Sequence, residues 1–384
     1  MAGIYIHIPF CKKACHYCNF HFSTSFSLRE AFVAALLHEI TLVSGSSPAQ
    51  NAYLALNGEQ IETIYFGGGT PSLLHAAELD AILTKIRSSY PVSPQAEITL
   101  EANPDDISAC KLAEWKRSGI NRLSIGVQSF LDAELQWMNR AHTAAQSLRA
   151  LEASREAGFN NITIDLIYGT PGLSNEQWEQ TITTAIELNV PHLSCYALTV
   201  EPATALNRLI EKGKSPDVDP EKQATHFQML VNRLEEAGYE HYEISNFAKK
   251  GMRSRHNSSY WQGSHYVGLG PSAHSFNGVS RQWNVANNAL YISSLQKGML
   301  PAEVELLTPT QQLNEYIMTS LRTVEGLDLI HIDQRFGQQA VKHIHDAMQK
   351  YQRSGKIAVD QARLQLTREG KLFADGIAAD LFVV

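Results

Sequence analysis

Tyr5-Ile6-His7-Ile8-Pro9-Phe10-Cys11-Lys12-Lys13-Ala14-Cys15-His16-Tyr17-Cys18-Asn19-Phe20 is the stretch on which the reading of this chain turns. A short apolar run leads directly into three cysteines spaced C-x3-C-x2-C. Thiolates bind soft metal centres, and closely spaced thiolates are the usual way to hold an iron–sulfur cluster. Most clusters take four protein ligands. The next cysteines, Cys110 and Cys195, are remote in sequence. A three-cysteine cluster leaves one iron open to another ligand. Two other readings compete. The i, i+4, i+7 placement suits one face of a buried helix, although Pro9 and the polar, aromatic-broken run after it do not look like core helix. Zinc with His7, His16 or His21 as fourth ligand is the other, although zinc knuckles more often use paired C-x2-C units.

Outward from this stretch, the first two-thirds of the chain repeats strand-then-helix units. Strands are expected at Gly3–Pro9, Thr63–Phe66, Glu97–Glu101, Arg122–Val127, Asn161–Ile167 and His192–Leu198. Helices are expected at Leu28–Val43, Ala76–Tyr90, Ser108–Ser118, Thr143–Ala157 and Asn175–Leu188, with Gly119 and Gly158 as stops. Alternation of this kind implies parallel βαβ units. Six units fall short of eight, so the fold class is α/β: an open, partial (β/α)6 barrel of the TIM type. In such sheets function sits at the C-terminal ends of the strands. The first strand runs into the cysteines. The second ends in Gly67-Gly68-Gly69-Thr70, the third at Glu101 and the fourth at Gln128, and the fifth carries Asp165. Each alone has a bland reading: a tight turn, a helix cap, a barrel-mouth amide. Their shared placement at one rim favours a site.

C-x3-C-x2-C after Tyr-x-His-Ile-Pro-Phe resembles the signature of radical S-adenosylmethionine (AdoMet) proteins, and more closely the coproporphyrinogen dehydrogenase-like branch that includes HemN and the heme chaperone HemW. The resemblance implies a [4Fe-4S] cluster on Cys11, Cys15 and Cys18, with the open iron chelated by the amino and carboxylate groups of AdoMet. It places the AdoMet contacts at Gly67, Gly68, Gly69, Thr70, Glu101, Gln128, Arg140 and Asp165, with Tyr5 and Tyr17 near the cofactor. The residue types suit these roles. Glycines let a ligand approach the backbone closely, Arg140 can form a charge-assisted fork with a carboxylate, and carboxylates suit an ammonium or ribose hydroxyls. Asn19 stands where the family often has Asp, which leaves the ligand set intact.

The whole chain has 384 residues, 44% hydrophobic and 18% charged, with 32 Lys and Arg against 39 Asp and Glu and a net charge of -7. It is not built to coat nucleic acid or an anionic membrane. No signal segment or long uncharged apolar run is apparent, and five cysteines with three clustered fit a reducing compartment, so a cytoplasmic location is expected.

Residues 1–235 read as the barrel core and 236–307 as an extension that closes it. A polar connector is expected over Asn207–Pro220, a helix over Glu221–Gly238 and one aromatic strand over Tyr239–Ala248. Arg255-His256-Asn257-Ser258-Ser259-Tyr260-Trp261 and Gly268-Leu269-Gly270-Pro271-Ser272-Ala273-His274 are similar to motifs shared by HemW and HemN. His256 is a candidate heme ligand or a scaffold residue. Residues 308–384 read as a winged-helix-like domain: helices Gln311–Leu321 and Gly337–Arg353, a hairpin Ile357–Asp360 and Arg363–Leu366, and a last helix Thr367–Ala379. With nine basic and nine acidic residues from Thr308 onward, it lacks the charge of a DNA-reading wing and reads as a lid or protein-contact domain.

Two functions follow from the resemblance. Oxygen-independent coproporphyrinogen III oxidases decarboxylate propionate side chains by radical chemistry. They carry an extension before the Tyr-x-His motif and a further cysteine two residues after the third. Here the motif tyrosine is residue 5 and that position is Phe20; both departures match HemW. The expected function is therefore heme chaperoning, with heme or a porphyrin as cargo and an acceptor protein as partner. A membrane-bound acceptor would be met by transient contact, without a membrane-spanning segment in this chain.

Overall fold

The computed structural model describes residues 2–45, 56 and 58–383. Six strands, β1 (Ala2–Ile8), β2 (Ile61–Gly68), β3 (Val92–Ala102), β4 (Arg122–Gln128), β5 (Ile162–Tyr168) and β6 (His192–Ala197), lie side by side in sequence order, each parallel to the next. Between them run helices α1 (Arg29–Ser44), α2 (Ala76–Ser89), α3 (Ala109–Ser118), α4 (Asp132–Trp137), α5 (Ala144–Glu156) and α6 (Asn175–Glu187). This is the expected partial (β/α)6 barrel.

The helices start where the sequence supplies caps. Ser108 accepts from the Lys111 amide, and Thr143–Gln146 and Ser174–Gln177 form reciprocal capping boxes. The third helix stops at Gly119, whose φ of 97° suits a residue without Cβ.

Strand alternation divides the barrel into two chemistries. Ile4, Ile6 and Ile8, Ile64 and Phe66, Leu123 and Ile125, and Ile162 and Ile164 bury against helix residues such as Phe32, Leu36, Leu83, Leu112 and Leu151 in one apolar core. Neighbours on the inner face are polar. Low in the barrel the buried Arg122 guanidinium donates to Asn161 and Thr163. Thr163 Oγ1 lies 3.1 Å from His192 Nδ1, and His192 Nε2 lies 2.7 Å from the Tyr242 hydroxyl. Buried polar groups are tolerable only when satisfied in this way. Burial beside Arg122 holds His192 well below the usual imidazole range.

Residues beyond β6 add strands at both edges. A hairpin, β7 (Glu240–Glu243) and β8 (Asn246–Ala248), pairs antiparallel with β6, where a single strand is expected from sequence. On the other side β9 (His265–Leu269) pairs parallel with β1, followed by antiparallel β10 (His274–Phe276), β11 (Ser280–Asn284) and β12 (Ala302–Leu306). The expected connector after Asn207 contains α7 (Ala205–Glu211), capped by Thr204, before α8 (Pro220–Glu236). Arg255–Trp261 forms α9.

The flank is tied to the barrel by Glu39 of α1. Its buried carboxylate accepts from the Gly270 amide (2.7 Å), Asn284 Nδ2 (2.6 Å) and the hydroxyl of Tyr291 (2.5 Å), the last on α10 (Asn288–Gln296). Burial pushes this carboxyl up to about 7.

A second apolar core links α11 (Pro309–Leu321), β13 (Leu327–Asp328), α12 (Leu329–Phe336), α13 (Gln338–Arg353), the hairpin β14 (Ile357–Asp360) and β15 (Arg363–Leu366), and α14 (Arg368–Lys371) and α15 (Ala374–Leu381). The three strands form one antiparallel sheet, and this element order is that of a winged helix. The single last helix expected from sequence is broken at Leu372–Phe373. Among the described residues no helix is long and apolar enough to cross a membrane.

Candidate functional site

A cavity of about 410 Å³ opens at the C-terminal ends of the barrel strands. The loop after β1 brings Cys11, Cys15, Tyr17 and Cys18 to it. The turn after β2 brings Gly68, Gly69 and Thr70. Glu101 comes from β3, Gln128 from β4, Arg140 from beyond α4 and Asp165 from β5. Residues spread over more than 150 positions thus meet at one cavity, because parallel strands present their C-terminal ends together.

The thiols are held by neighbours. Thr70 Oγ1 donates to Cys11 Sγ at 3.5 Å and Arg140 Nη1 to Cys15 Sγ at 3.3 Å. Burial pushes the Cys11 thiol up to about 11 and raises Cys18 as well. Arg140 Nη2 donates to Asn103 Oδ1 (2.5 Å) and to the Gly126 carbonyl (3.0 Å), while its Nε is buried without a partner among the described residues. Asn103 Nδ2 reaches back to Thr70 at 3.3 Å. One hydrogen-bonded line therefore joins β2, β3 and β4 behind the cysteines.

The opposite wall is acidic. Glu101 accepts from the Tyr65 hydroxyl at 2.8 Å. Burial, reinforced by the nearby Asp165, pushes Glu101 up to about 8. Burial likewise lifts Asp165 to about 6, although Ser194 and Ser124 donate to it. Arg140 and Arg122 favour the ionised Asp165 without cancelling the effect of burial. Gln128 holds a left-handed backbone at φ 65°, unusual for a residue with a side chain, where β4 breaks register with β5.

The glycine run is also a packing device. A Cβ on Gly69 would come within 2.7 to 2.9 Å of backbone atoms of Ile8 and Phe10, and one on Gly67 within 2.9 Å of Tyr5 and Tyr65. Strand ends can lie this close only without side chains.

Three residues singled out from sequence lie elsewhere. Gly67 lies behind this cavity. Tyr5 lines a second, larger cavity and stacks on Tyr65 with ring centroids 6.2 Å apart. His256 is 1% exposed. Its Nδ1 lies 2.8 Å from Thr63 Oγ1, its Nε2 2.9 Å from the Tyr260 hydroxyl, and its ring stacks on Tyr65.

The alternative zinc histidines are engaged as well. His7 Nε2 meets the His21 carbonyl at 2.8 Å, His16 Nδ1 the Trp137 carbonyl at 2.8 Å, and His21 Nε2 meets Asn288 Oδ1 at 2.7 Å. Among the described residues no three His, Cys, Asp or Glu side chains converge on a point that could hold a single metal ion. The cysteines lie in a loop and not on a helix.

Sequence reasoning missed Tyr65, Asn103, Ser124 and Ser194, all of which line the cavity. Tyr65, Ser124 and Ser194 lie on the inner face beside Glu101 and Asp165, so strand alternation held the signal. Asn103 follows β3 in Ala102-Asn103-Pro104, a turn that the sequence marks only as a strand end.

Comparison with known proteins agrees with this geometry. Residues 5–185 match the family model of the Radical SAM superfamily and residues 307–373 that of the HemN C-terminal domain. The heme chaperone HemW of Bacillus subtilis is 35% identical over 98% of this chain and 98% of its own. The protein of the same name from Mycobacterium tuberculosis is 33% identical over 99% of this chain and 94% of its own. The solved coproporphyrinogen III oxidase HemN of Escherichia coli, described as a radical SAM enzyme, superposes with a TM-score of 0.84 at 24% identity, covering 100% of this chain and 90% of that one. It shares the fold. Fold, rim and matched span together define a radical SAM protein. Within that superfamily the chain belongs to the HemW family.

Proposed function

We propose that this protein is a heme chaperone, binding heme and passing it to an acceptor protein, on a scaffold that carries a [4Fe-4S] cluster and AdoMet. The observation that carries the reading is the full-length relationship to proteins named heme chaperone HemW. Phe20, where the resemblance gives oxidases a cysteine, supports it. It stands 66% exposed between the two cavities.

The rim residues fit the implied cofactors. Three thiols without a fourth suit a cluster with one open iron. The buried Nε of Arg140 has no partner among the described residues, and Glu101 with Asp165 offers a seat to a cationic ligand. Cys11, Cys15 and Cys18 would hold the cluster; Gly68, Gly69, Thr70, Glu101, Gln128, Arg140 and Asp165 would hold AdoMet, with Tyr17 beside it and Gly67 and Tyr5 behind. When bound and given one electron by an external reductant, the pair would supply cleavage of AdoMet to methionine and a carbon radical. Arg140 and Thr70 orient the cysteine sulfurs through their hydrogen bonds to Cys15 and Cys11.

We take His256 as scaffold, because both of its ring nitrogens already have partners and burial lowers it to about 3, which keeps it neutral. We also take residues 1–235, 236–307 and 308–384 as barrel core, extension and C-terminal domain. The cytoplasm is the proposed location, consistent with five unpaired cysteines.

The fold shared with HemN favours a second reading, oxidative decarboxylation of coproporphyrinogen III. One anaerobic assay separates them. Reconstituted protein is mixed with AdoMet, a reductant and coproporphyrinogen III, and porphyrins are quantified by chromatography. No protoporphyrinogen IX is expected while the same sample binds heme; accumulation over many turnovers would overturn the chaperone reading.

A further inference from the structure

The larger cavity, about 730 Å³, lies between the barrel's β9–β11 flank and the C-terminal helices α11 and α12. That volume is in the range that holds a cofactor-sized ligand. Its walls are aromatic: Tyr260 from α9, Tyr266 and Phe276 from the flank, and Tyr316 from α11. Tyr260 and Tyr266 pack edge-on with centroids 4.7 Å apart, a rigid arrangement that offers a flat face to a flat ligand.

Four imidazoles line this space, those of His7, His21, His274 and His331. His274 is exposed on β10 and His331 half-buried on α12. Neither ring nitrogen pair makes a hydrogen bond with the protein among the described residues; their ring contacts are to Trp283 and Tyr316. This contrasts with His7 and His256, both of whose ring nitrogens have partners, and with His21, whose Nε2 is held by Asn288. Neutral imidazole nitrogens without partners are competent metal ligands.

Two guanidiniums complete the wall. Arg281 is paired with Glu315 at 2.5 Å, whereas the exposed Arg335 donates to the Gln312 side-chain carbonyl at 2.9 Å and has no carboxylate partner among the described residues. A flat apolar ring bearing a metal and at least one carboxylate satisfies all these groups together.

We propose that this cavity takes heme, with His274 and His331 as the imidazoles offered to the iron and Arg335 facing a propionate. The proposal rests on the chaperone reading and gives its cargo a place separate from the AdoMet cavity. The two imidazoles come from different parts of the chain, so bound heme joins the flank to the C-terminal domain.

The test uses the full-length protein titrated with hemin, read by the Soret band and by retained heme after gel filtration. H274A and H331A should each shift the ferric spectrum and weaken heme binding by about tenfold or more, and the double variant should lose specific binding. Added imidazole should restore a ligated spectrum in H274A. Metal-free protoporphyrin IX is the control for folding: its binding should survive both histidine substitutions and weaken in Y266A and R335A. Wild-type protein that binds hemin, with a double variant of unchanged spectrum and affinity, would overturn the site and leave the chaperone reading standing. Wild-type protein that binds no hemin would overturn both.

Discussion

The two cavities are built by different rules. The rim cavity is walled by β1 to β6, whose parallel pairing repeats at each step. The larger one is walled by short flank strands and by helices of another core, brought together across the chain. One is a property of the barrel, the other of how two bodies meet. Ligands at the first should therefore depend on single strand-end residues, and ligands at the second also on whatever fixes the flank.

The sharpest break between them is at Cys15. C15A should abolish four-iron incorporation after anaerobic reconstitution, measured as iron, sulfide and visible absorption, while hemin binding persists. A full cluster in this variant would refute the ligand assignment. Next comes Glu39, which anchors the flank through three buried donors. Leaving such donors unpaired costs about 1 to 3 kcal/mol each, so E39A should lose roughly 3 kcal/mol or more in urea unfolding and weaken hemin more than AdoMet. Equal weakening of both would erase the distinction between the cavities.

Glu101 probes the rim with a smaller effect. Its carboxyl is raised in the folded protein from an ordinary value of 4.5 to about 8. Its protonated form therefore stabilises the fold below pH 4.5, and that contribution is lost as pH rises through 8. E101Q keeps the neutral form, so it should melt higher than wild type at pH 9 and equally at pH 4. A cationic ligand prefers the ionised pair, so AdoMet affinity should rise between pH 6 and pH 8 in wild type, following Asp165 and Glu101. In E101Q that rise should flatten and affinity fall by about tenfold. An unchanged pH profile would remove Glu101 from the cation's seat. Smallest of all, H256A should leave the heme spectrum as it is and only lower the melting temperature. A spectral shift with a native melting curve would return His256 to the cargo.

The same contrast explains what could be read in advance. Strand ends, glycine turns and inward carboxylates announce themselves locally, because alternation and strand-to-helix order are short-range signals. The gathering of Cys11, Glu101 and Asp165 at one rim follows from parallel pairing alone. The flank has no such grammar. β8 and β10 are three residues long and β13 two, too short for any periodic pattern. The pairing of Ala2 with His265 spans most of the chain. The motif around His256 is legible as a motif, and Tyr260 lies one turn on in the same helix, but the other partner of the ring, Thr63, is 193 residues away and no local pattern links it. His274 and His331 gain their common cavity only through that long-range assembly.

Asn19 and Phe20 belong to both walls at once. The cysteine loop is thus a partition between the two cavities. Thermodynamic reciprocity then applies: whatever filling the rim does to the affinity on the far side is returned by the same factor. A loop slackened by loss of its iron would be felt by the cargo as a changed grip. Oxygen damage to a cluster held there would then reach the far cavity through the two residues that line both.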